Sequence, residues 1–140
     1  ASFKTSAKIL DDKTLGKQRV ECLQILNALT YNKQSRYRNH PAVLMWKGYE
    51  PALIEYTNAV CDEWTSRGFS DSIKEKVRLM ANDLFTPMQL KHPDMPKWLK
   101  TRQFHASHRS MLIKAMPARY GTFWPGHEDL DYWWPVRIKQ

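Results

Sequence analysis

Apolar residues recur at helical spacing along the chain, and few segments alternate apolar and polar residues as strands do. The clearest apolar stripe contains Leu15, Cys22, Leu26 and Leu29. The opposite arc contains the polar residues Lys13, Thr14, Lys17, Gln18, Glu21 and Gln24. Because residues three, four and seven apart share one helix face, this pattern predicts a first helix from about Asp12 to Leu29.

A polar, basic loop over Tyr31 to Asn39 follows the first helix, and a short helical piece then carries Val43, Leu44 and Trp46. Pro51 suits the first turn of a second long helix, and Gly68 is a plausible stop for it. One face of this predicted helix carries Leu53, Ile54, Thr57, Val60, Cys61 and Trp64.

A third helix is predicted after Ser72, which has the spacing of a capping box with Glu75. Its apolar positions are Ile73, Val77, Met80 and Leu84. A last helix is expected over His105 to Met116, with Leu112 and Met116 buried.

Two proline-rich segments break the helical pattern. Thr86 to Trp98 contains three prolines, which predicts an irregular surface segment. The tail from Tyr120 to Val136 cannot form one regular helix, and we expect it to wrap the body with the aromatic residues Phe123, Trp124, Tyr132, Trp133 and Trp134. The predicted fold is therefore all-α: one compact helical domain over residues 1–140 with an irregular, aromatic-rich C-terminal tail.

The charge balance indicates a class of partner. Lys and Arg number 22 against 14 Asp and Glu, which gives a net charge of +8. Basic domains often bind nucleic acid, because neutralising phosphates releases condensed counterions. Six Trp and six Tyr add candidate stacking platforms for an unstacked base. Charge alone only favours this class, since many basic proteins bind nothing specific.

The absence of a long apolar run and of a secretory signal predicts a cytosolic protein, and the two cysteines have a structural interpretation. Cys22 and Cys61 are far apart, have no CxxC partner and occupy apolar positions of predicted helices. We interpret them as reduced core thiols rather than as zinc ligands. No apolar run has the length of a membrane span, and no secretory signal is visible.

Glu21 is the first candidate catalytic residue. It lies on the polar arc of the first helix, one turn from Lys17 and beside Gln18. A carboxylate repels phosphate, so a surface that only binds DNA would tend to exclude it. An enzyme acting at a sugar C1′ needs such a group to stabilise positive charge and to relay protons. The alternative is a solvated Glu paired with Lys17.

Arg19 is unusual because it projects near the apolar stripe of the same helix. It either snorkels to solvent or forms an ion pair at a helix interface. A buried pair with Asp62 or Glu63 would be purely structural. A role in a catalytic pocket is the other interpretation.

A second cluster is the RYRNHP segment, which contains Arg36, Arg38, Asn39 and His40. Arg side chains and backbone N–H groups in a loop before a helix suit phosphates. Asn39 or His40 could orient a sugar or a base. A solvated basic loop is the alternative.

A third cluster is the FHASHRS segment, where His105 and His108 share a helix face. As neutral imidazoles, they could line a pocket for phosphate or for a flipped base. Their spacing could also suit a metal, but no HExxH motif is present and a third ligand would have to come from His40 or His127. Capping or core histidines are the more ordinary interpretation, and we predict no metal.

Several blocks together resemble a known family. LDDKTLGKQRVECLQIL, RYRNHPAVLMW, CDEWTSRGF, FHASHRSMLI and DYWWP are similar to the bacterial and phage branch of the pyrimidine-dimer DNA glycosylase (endonuclease V) family. The blocks are scattered over nearly the whole chain, and LGKQRVE and RNHPAVLMW are the most specific of them.

The resemblance implies a bifunctional enzyme that acts on damaged pyrimidines in duplex DNA as a glycosylase and abasic-site lyase. It implies an amine that attacks C1′ to form an imine, and an essential glutamate on the first long helix, which Glu21 matches. It also implies a DNA backbone held by the residues nearest that helix, which are Lys17, Arg19, Arg36 and Arg38. No cofactor is implied. We predict a monomer in the cytoplasm of a bacterium or phage-infected cell, associated with the nucleoid.

The nucleophile implied by the resemblance is the α-amino group of the mature N-terminus, whose pKa is naturally low. The resemblance implies several more residues before this point. If upstream residues are missing, the nucleophile lies outside this numbering; if Ala1 is the true N-terminus, its amine is the candidate. Lys17 is the fallback, although a lysine needs its pKa lowered by burial or by cationic neighbours.

Two other functions stay open. One is a non-catalytic DNA- or RNA-binding module on the same helical scaffold, which would keep the basic residues without an accessible amine beside Glu21. The other is a metal nuclease that uses His40, His105 and His108, which would lose its activity in excess EDTA.

Overall fold

The computed structural model of the protein describes residues 2–124 and 134–135. Its contacts divide the chain into two compact units, Ala1–Met95 and Pro96–Gln140. Only helices and their connections occur within the described residues. The predicted all-helical class is therefore confirmed, and the expectation of a single domain stays a prediction.

The first unit contains six α-helices and a 3₁₀ helix. They are α1 (Phe3–Ile9), α2 (Asp12–Leu29), the 3₁₀ helix Arg36–Asn39, α3 (Pro41–Trp46), α4 (Glu50–Ser66), α5 (Ile73–Leu84) and α6 (Pro87–Lys91). The second unit contains a 3₁₀ helix, Lys97–Lys100, then α7 (Arg102–Ala115) and α8 (Pro117–Phe123).

Helix α2 has the bounds that the apolar stripe predicts. Asp11 caps its first turn, where the carboxylate accepts a hydrogen bond from the Thr14 N–H at 3.1 Å. The four residues of the predicted stripe, Leu15, Cys22, Leu26 and Leu29, are all buried. The polar arc is consequently left as the outer face of this helix.

Helix α4 packs against α2 and runs antiparallel to it. Near the N-terminal end of α2, Gly16 faces the Trp64 indole. Further along, the buried Cys22 thiol interacts with Thr57. Pro51 lies in the first turn of α4, and Gly68 follows its end with a φ of 93°, as their residue types predict.

Helix α1 is an element that the sequence pattern did not reveal. Ser2 caps it by accepting a hydrogen bond from the Thr5 N–H at 3.1 Å. Its seven residues are too few to show helical periodicity. Phe3 anchors its start, with ring centroids 5.2 Å from Tyr56 and 6.5 Å from Trp46.

The end of α1 is held by Arg67, which follows α4. The guanidinium donates hydrogen bonds to the carbonyl oxygens of Ala7 and Lys8 at 3.4 and 3.2 Å. It also forms ion pairs with Asp12 at 2.9 Å and Glu63 at 3.1 Å. One side chain thus joins the C-terminal end of α1 to α2 and α4.

The predicted capping box of α5 is wrong. Ser72 makes no side-chain cap, and Glu75 instead pairs with Arg78 in its own helix. The capping carboxylate is that of Asp71, which accepts hydrogen bonds from the Ile73 and Lys74 N–H groups at 3.1 and 2.9 Å. Asp71 also binds Arg19, so the cap is coupled to a tertiary ion pair.

The segment Thr86 to Trp98 is more ordered than its prolines indicate. Thr86 and Gln89 form a capping box that starts α6. Pro87 occupies the first turn of that helix, where its missing N–H costs nothing. Trp98 is buried.

The predicted burial of Met116 is wrong, since it is 40% exposed. Leu84, an apolar position of the third predicted helix, is 39% exposed. Both stand at helix ends, Leu84 as the last residue of α5 and Met116 just after α7, where the next element turns the chain.

The second unit has its own aromatic core. Trp98, Phe104, Leu112 and Tyr120 are buried there, and the Trp98 and Phe104 ring centroids lie 4.7 Å apart. Helix α7 begins at Arg102 rather than at His105, and α8 follows it. In the predicted aromatic tail, Phe123 is 50% exposed, whereas Tyr132 and Trp133 lie outside the described residues.

Both cysteines are buried and free, which confirms their interpretation as core thiols. Burial raises the pKa of Cys22 and of Cys61 to about 12, so both stay protonated at neutral pH. None of the helices in the described part of the chain combines the length and the apolar character that crossing a membrane requires.

Candidate active site

The exposed face of α2 carries the candidate carboxylate. Glu21 is exposed and its neighbour Cys22 is fully buried, because consecutive residues point in different directions on a helix. Lys17 is exposed one turn before Glu21, and Gln24 is exposed after it. Across residues 2–124, no ion pair joins Glu21 to Lys17. The predicted Glu21–Lys17 pair is thus not formed, and the carboxylate faces solvent.

A polar cleft of about 360 Å³ opens between the C-terminal half of α2 and the loop that follows it. It is lined by Gln24, Asn27, Ala28, Asn32, Ser35 and Tyr37. Carboxamides, a hydroxyl and a phenol together present both donors and acceptors of hydrogen bonds. Such a lining suits a ligand with a mixed donor and acceptor edge, as nucleobases and sugars have.

Tyr37 connects this cleft electrostatically to Glu21. Burial raises the pKa of Tyr37, and the negative charge of Glu21 raises it further. The phenol therefore stays protonated at neutral pH and can donate a hydrogen bond into the cleft. Glu21 also precedes the cleft-lining Gln24 by three residues on α2, so the carboxylate lies on the same helix face as one wall of the cleft.

Helix α1 lies along α4. Phe3, in the first turn of α1, contacts Tyr56 near the middle of α4, and Arg67, at the end of α4, holds the last turn of α1. Thr57, the residue after Tyr56, contacts Cys22 of α2. Ala1, the candidate nucleophile, lies outside the described residues.

The RYRNHP segment lies beside the cleft. Arg38 donates a hydrogen bond to the Ala28 carbonyl oxygen at 3.4 Å, which ties the 3₁₀ helix to α2. Arg36 and Asn39, on either side of Tyr37, are exposed. The RYRNHP segment is thus packed against α2, the helix that carries Glu21.

His40 has a structural role in the same segment. Its Nδ1 accepts a hydrogen bond from the Ala42 N–H at 3.0 Å and so caps α3. Its ring centroid lies 5.2 Å from that of Tyr37. The cap keeps the ring beside the phenol, and a catalytic role for His40 stays a prediction.

Two residues of α2 that were predicted to bind DNA turn toward the protein. The Gln18 amide nitrogen lies 3.9 Å from the Cys22 sulfur. Arg19 pairs with Asp71 at 2.5 Å, so the predicted partners Asp62 and Glu63 are wrong. The Arg19 guanidinium also lies 4.9 Å from the Trp64 ring centroid. A DNA contact of either residue stays a prediction.

The ion pair of Arg19 changes the acidity of Asp71. Burial by itself would raise the pKa of Asp71, but the hydrogen bonds from the Lys74 N–H and from Arg19 outweigh it and lower the pKa. The carboxylate thus stays charged at neutral pH and holds Arg19 against α5.

His105 and His108 belong to the second unit. His105 Nε2 forms a short hydrogen bond with the Leu99 carbonyl oxygen. His108 stacks on Phe104 with ring centroids 6.1 Å apart, and burial lowers its pKa to about 4. His127, a candidate third metal ligand, lies outside the described residues. Among the residues that are described, no group of three His, Cys, Asp or Glu side chains could hold a metal ion.

Sequence reasoning missed most of the cleft lining. Tyr37 was visible in RYRNHP, and Gln24 was visible on the polar arc, but neither was a predicted site residue. Gln24 and Asn27 are three apart on α2, so their common face was available as a signal. Asn32 and Ser35 lie in the loop, where no periodicity indicates which side chains converge.

The fold and the site define a basic, all-helical protein with a solvent-exposed carboxylate beside a polar cleft. This description suits an enzyme that acts on nucleic acid. The family model of pyrimidine dimer DNA glycosylases matches residues 1–76, which contain Glu21 and the whole cleft. The chain belongs to that family and is, in general terms, a DNA repair glycosylase. Comparison with curated proteins and with solved structures gave no match.

Proposed function

We propose that the protein excises damaged or modified pyrimidines, such as pyrimidine dimers, from duplex DNA and then cleaves the abasic site as a lyase through an imine. The observation that carries this proposal is the position of Glu21, an exposed carboxylate beside a polar cleft inside the matched part of the chain.

Glycosylase and lyase chemistry at one centre needs an amine and a carboxylate. The amine nitrogen forms a bond to C1′ while the bond from C1′ to the base breaks, and the base leaves with that electron pair. The sugar ring then opens to an imine, and loss of a C2′ proton drives elimination of the 3′ phosphate. Glu21 is suited to stabilise positive charge near C1′ and to relay protons.

The proposed nucleophile is the α-amino group at the mature N-terminus, which is Ala1 if the native chain begins there. An α-amine has a pKa of about 8, so a usable fraction is unprotonated near neutral pH. Phe3 contacts Tyr56, the neighbour of the Thr57 that contacts Cys22 next to Glu21, and this link between the start of α1 and α2 through α4 supports the assignment. Lys17 is the alternative amine, one turn from Glu21.

Exposed cations around the cleft are suited to hold the DNA backbone. Lys17 on α2 and Arg36, which precedes the cleft-lining Tyr37, are exposed, and Arg38 and Asn39 follow in the same segment. Phosphate contacts of this kind fix the register of a duplex without reading its sequence. We propose that a base leaves the stack as the protein binds, so that C1′ becomes reachable.

The decisive experiment traps the imine. The protein is incubated with a duplex that contains one abasic site, borohydride is added, and adducts are separated on a denaturing gel and mapped by mass. We expect one adduct at the terminal amine. The Glu21→Gln variant should lose turnover but keep or increase its affinity for DNA, because a negative charge is removed from the binding face.

Glu55→Gln is the matched control for this test. Glu55 is exposed on α4, and its side chain forms no ion pair with the described residues, so its variant should retain full activity. An adduct that maps to Lys17 would replace the terminal amine with a lysine nucleophile. If neither this chain nor one with native upstream residues gives an adduct, the lyase activity is refuted and a non-catalytic binding module becomes the better account.

A further inference from the structure

The polar cleft between α2 and the loop after it differs in charge from the rest of this basic protein. None of the described residues that line it is charged, and the lining consists of three carboxamides, a hydroxyl, a phenol and Ala28. The negative charge of Glu21 acts on Tyr37 of the lining, so an anionic ligand would be repelled. The cleft therefore suits a neutral ligand better than a phosphate.

Four side chains of the cleft do not use their polar atoms within the described structure: Gln24, Asn27, Asn32 and Tyr37. The residues at the start of the same loop, outside the lining, behave differently. The Thr30 hydroxyl donates a hydrogen bond to the Leu26 carbonyl oxygen at 2.7 Å. The Tyr31 phenol donates one to Asp83 at 2.7 Å. Donors and acceptors that a ligand can satisfy are thus concentrated in the cleft.

The backbone around the cleft is held in place before any ligand binds. The Asn32 N–H donates a hydrogen bond to the Asn27 carbonyl oxygen at 2.7 Å, and the Ser35 N–H donates one to the Asn32 carbonyl oxygen at 3.1 Å. Arg38 ties the following 3₁₀ helix to the Ala28 carbonyl oxygen. A preformed site of this kind loses less conformational entropy when it binds a ligand.

The size of the cleft suits a single base. Its volume of about 360 Å³ lies near the lower end of the roughly 300–1,000 Å³ that small-molecule pockets have. Ala28 is the only aliphatic residue among the described residues of the lining. A saturated ring that joins two bases would strip water from the carboxamides without replacing their hydrogen bonds. The lining therefore disfavours an apolar addition to the base.

The number of polar groups indicates what the base carries. A pyrimidine presents only a few donors and acceptors on its edges. The lining offers five polar side chains, which is more than an unmodified pyrimidine can satisfy. A hydroxyl substituent adds both a donor and an acceptor. A site that hydrogen-bonds such a hydroxyl rejects the analogue without it, because the polar groups of the site are then left unpaired.

The position of the cleft on α2 indicates which base of a pair it would hold. Glu21 and Gln24 lie three residues apart, so their backbones are separated by roughly 4.5 Å along the helix axis. A base that is hydrogen-bonded to Gln24 has its own glycosidic bond on the side of the carboxylate. The cleft is thus suited to the base that leaves.

We propose that the polar cleft is the specificity site for the excised base, and that it takes a single extruded pyrimidine with a hydroxyl substituent. This inference rests on the proposed function, since it names the substrate class of the same site. The cleft adds no chemical step. It holds the base that leaves with the electron pair of the glycosidic bond and selects it by hydrogen bonds.

The first test compares two duplexes that each carry one lesion, either 5-hydroxymethyluracil or a cyclobutane thymine dimer. The release of the base by the full chain is measured as kcat/KM. The value for 5-hydroxymethyluracil should be at least roughly tenfold higher, the equivalent of one additional hydrogen bond. A value equal to that for the dimer, or below it, would refute the proposal.

A double variant tests the carboxamides directly. Gln24→Met with Asn27→Leu, the cleft variant, removes two of them at nearly constant side-chain volume. Its kcat/KM for 5-hydroxymethyluracil should fall roughly tenfold or more, with little change for the dimer. Equal losses on both lesions would show that these side chains do not recognise the substituent, and would overturn the proposal.

The matched control is Gln103→Met with Asn82→Leu. Both residues are exposed on helices outside the cleft, and their side chains form no hydrogen bond with described residues. The control should therefore match the wild type on both lesions. A control that loses as much activity as the cleft variant would refute a specific role for the cleft.

A binding measurement tests the site without catalysis. Saturation-transfer NMR is recorded with free 5-hydroxymethyluracil and with free thymine, which differ only in the hydroxyl. The hydroxylated base should give the stronger signal on the wild type, and the cleft variant should reduce that signal. Equal signals from the two bases on the wild type would overturn the proposal.

Failure of this inference can be distinguished from failure of the proposed function. An abasic site has no base, so the cleft variant should form as much imine adduct as the wild type, which also shows that the variant is folded. A wild type without adduct but with the selective NMR signal would refute the lyase proposal alone. An adduct without any preference for the hydroxylated base would refute the cleft assignment alone.

The base opposite the lesion is the remaining occupant to test. Duplexes with an abasic residue opposite 5-hydroxymethyluracil should show the same loss of kcat/KM in the cleft variant. If that loss disappears on these duplexes, the cleft holds the opposite base and the proposal is wrong.

Discussion

Gly16 on α2 faces the indole of Trp64 on α4 so closely that a Cβ atom at position 16 would lie 3.0 Å from two carbons of the ring. The indole cannot easily move away. Its Nε1 donates a hydrogen bond to the Ser70 carbonyl oxygen at 2.9 Å, and its ring stacks on Phe69 with centroids 4.2 Å apart. The glycine of the LGKQRVE block thus serves helix packing.

The Gly16→Ala variant should be destabilised. Alanine stabilises a helix by about 1 kcal/mol relative to glycine, but overpacking against a fixed ring costs about 1–3 kcal/mol. We expect a net loss of roughly 1 kcal/mol in the free energy of unfolding, measured with urea. Gly121→Ala is the control, since a Cβ there meets nothing within 4 Å and should leave stability equal or higher. A Gly16→Ala variant as stable as the wild type would mean that Trp64 moves freely.

The ion pair between Arg19 and Asp71 should contribute more to the free energy of unfolding than the surface ion pairs do. The two side chains are only 16% and 3% exposed. The Asp71→Asn variant should lose about 2–3 kcal/mol, because it leaves a partly buried guanidinium without its carboxylate. Asp94→Asn should change little, since Asp94 is exposed and forms no ion pair with described residues. Urea unfolding at pH 7 measures both.

The same pair predicts a dependence on pH. The pKa of Asp71 is lower in the folded chain than in the unfolded chain. The carboxylate therefore contributes its full stabilisation of the fold at any pH above its pKa in the unfolded chain, near 3.8. It should be lost as the pH falls through the lower folded pKa. The stability of the Asp71→Asn variant should therefore change less than that of the wild type over this acidic range. Parallel pH profiles would contradict the assignment.

Arg67 should matter for the position of α1. The Arg67→Ala variant removes hydrogen bonds to the Ala7 and Lys8 carbonyls and two ion pairs, so a loss of about 2 kcal/mol is expected. Hydrogen exchange measured by mass spectrometry should show faster exchange in α1. Arg78→Ala is the control, because its exposed pair with Glu75 lies within one helix and should contribute under about 0.5 kcal/mol. Unchanged exchange in α1 would show that Phe3 alone anchors it.

Tyr37 should contribute to activity through its phenol. The Tyr37→Phe variant keeps the ring in the cleft and removes one protonated donor beside Glu21. If the cleft holds part of the DNA substrate, kcat/KM for excision should fall roughly tenfold, the equivalent of one hydrogen bond. Tyr49→Phe, on a half-buried residue before α4, should keep full activity. If the Tyr37→Phe variant has the same kcat/KM as the wild type, the phenol does not contribute to the site.

His108 should make the second unit sensitive to mild acid. Burial lowers its folded pKa from 6.5 to about 4. Below about pH 6.5 His108 binds a proton in the unfolded chain, whereas in the folded chain it does so only near pH 4. The free energy of unfolding should therefore fall between these two pH values, by on the order of 2–3 kcal/mol. Calorimetric unfolding at a series of pH values should show the fall, and His108→Gln should reduce it. His92→Gln, on an exposed residue, should leave it unchanged.

The sequence alone determined the elements whose residues lie close together along the chain. The stripe from Leu15 to Leu29 set the bounds of α2, because burial of one helix face requires this local spacing. Pro51 and Gly68 placed α4 for the same reason, since their backbone preferences act within a turn. The position of Glu21 on the outer face of α2 followed from helix periodicity without any tertiary contact.

Only the tertiary structure decided which distant residues meet. The partner of Arg19 is Asp71, which lies 52 positions away, and no spacing rule distinguishes it from Asp62 or Glu63. The cleft depends on how the loop after α2 folds back, which placed Asn32, Ser35 and Tyr37 beside Gln24. Helix α1 was too short to show a period. Long-range contacts hold it in place, from Phe3 to Tyr56 and from Arg67 to the Lys8 carbonyl oxygen. Local periodicity reflects burial along one helix, whereas a site reflects the packing of several elements, which a single pattern does not encode.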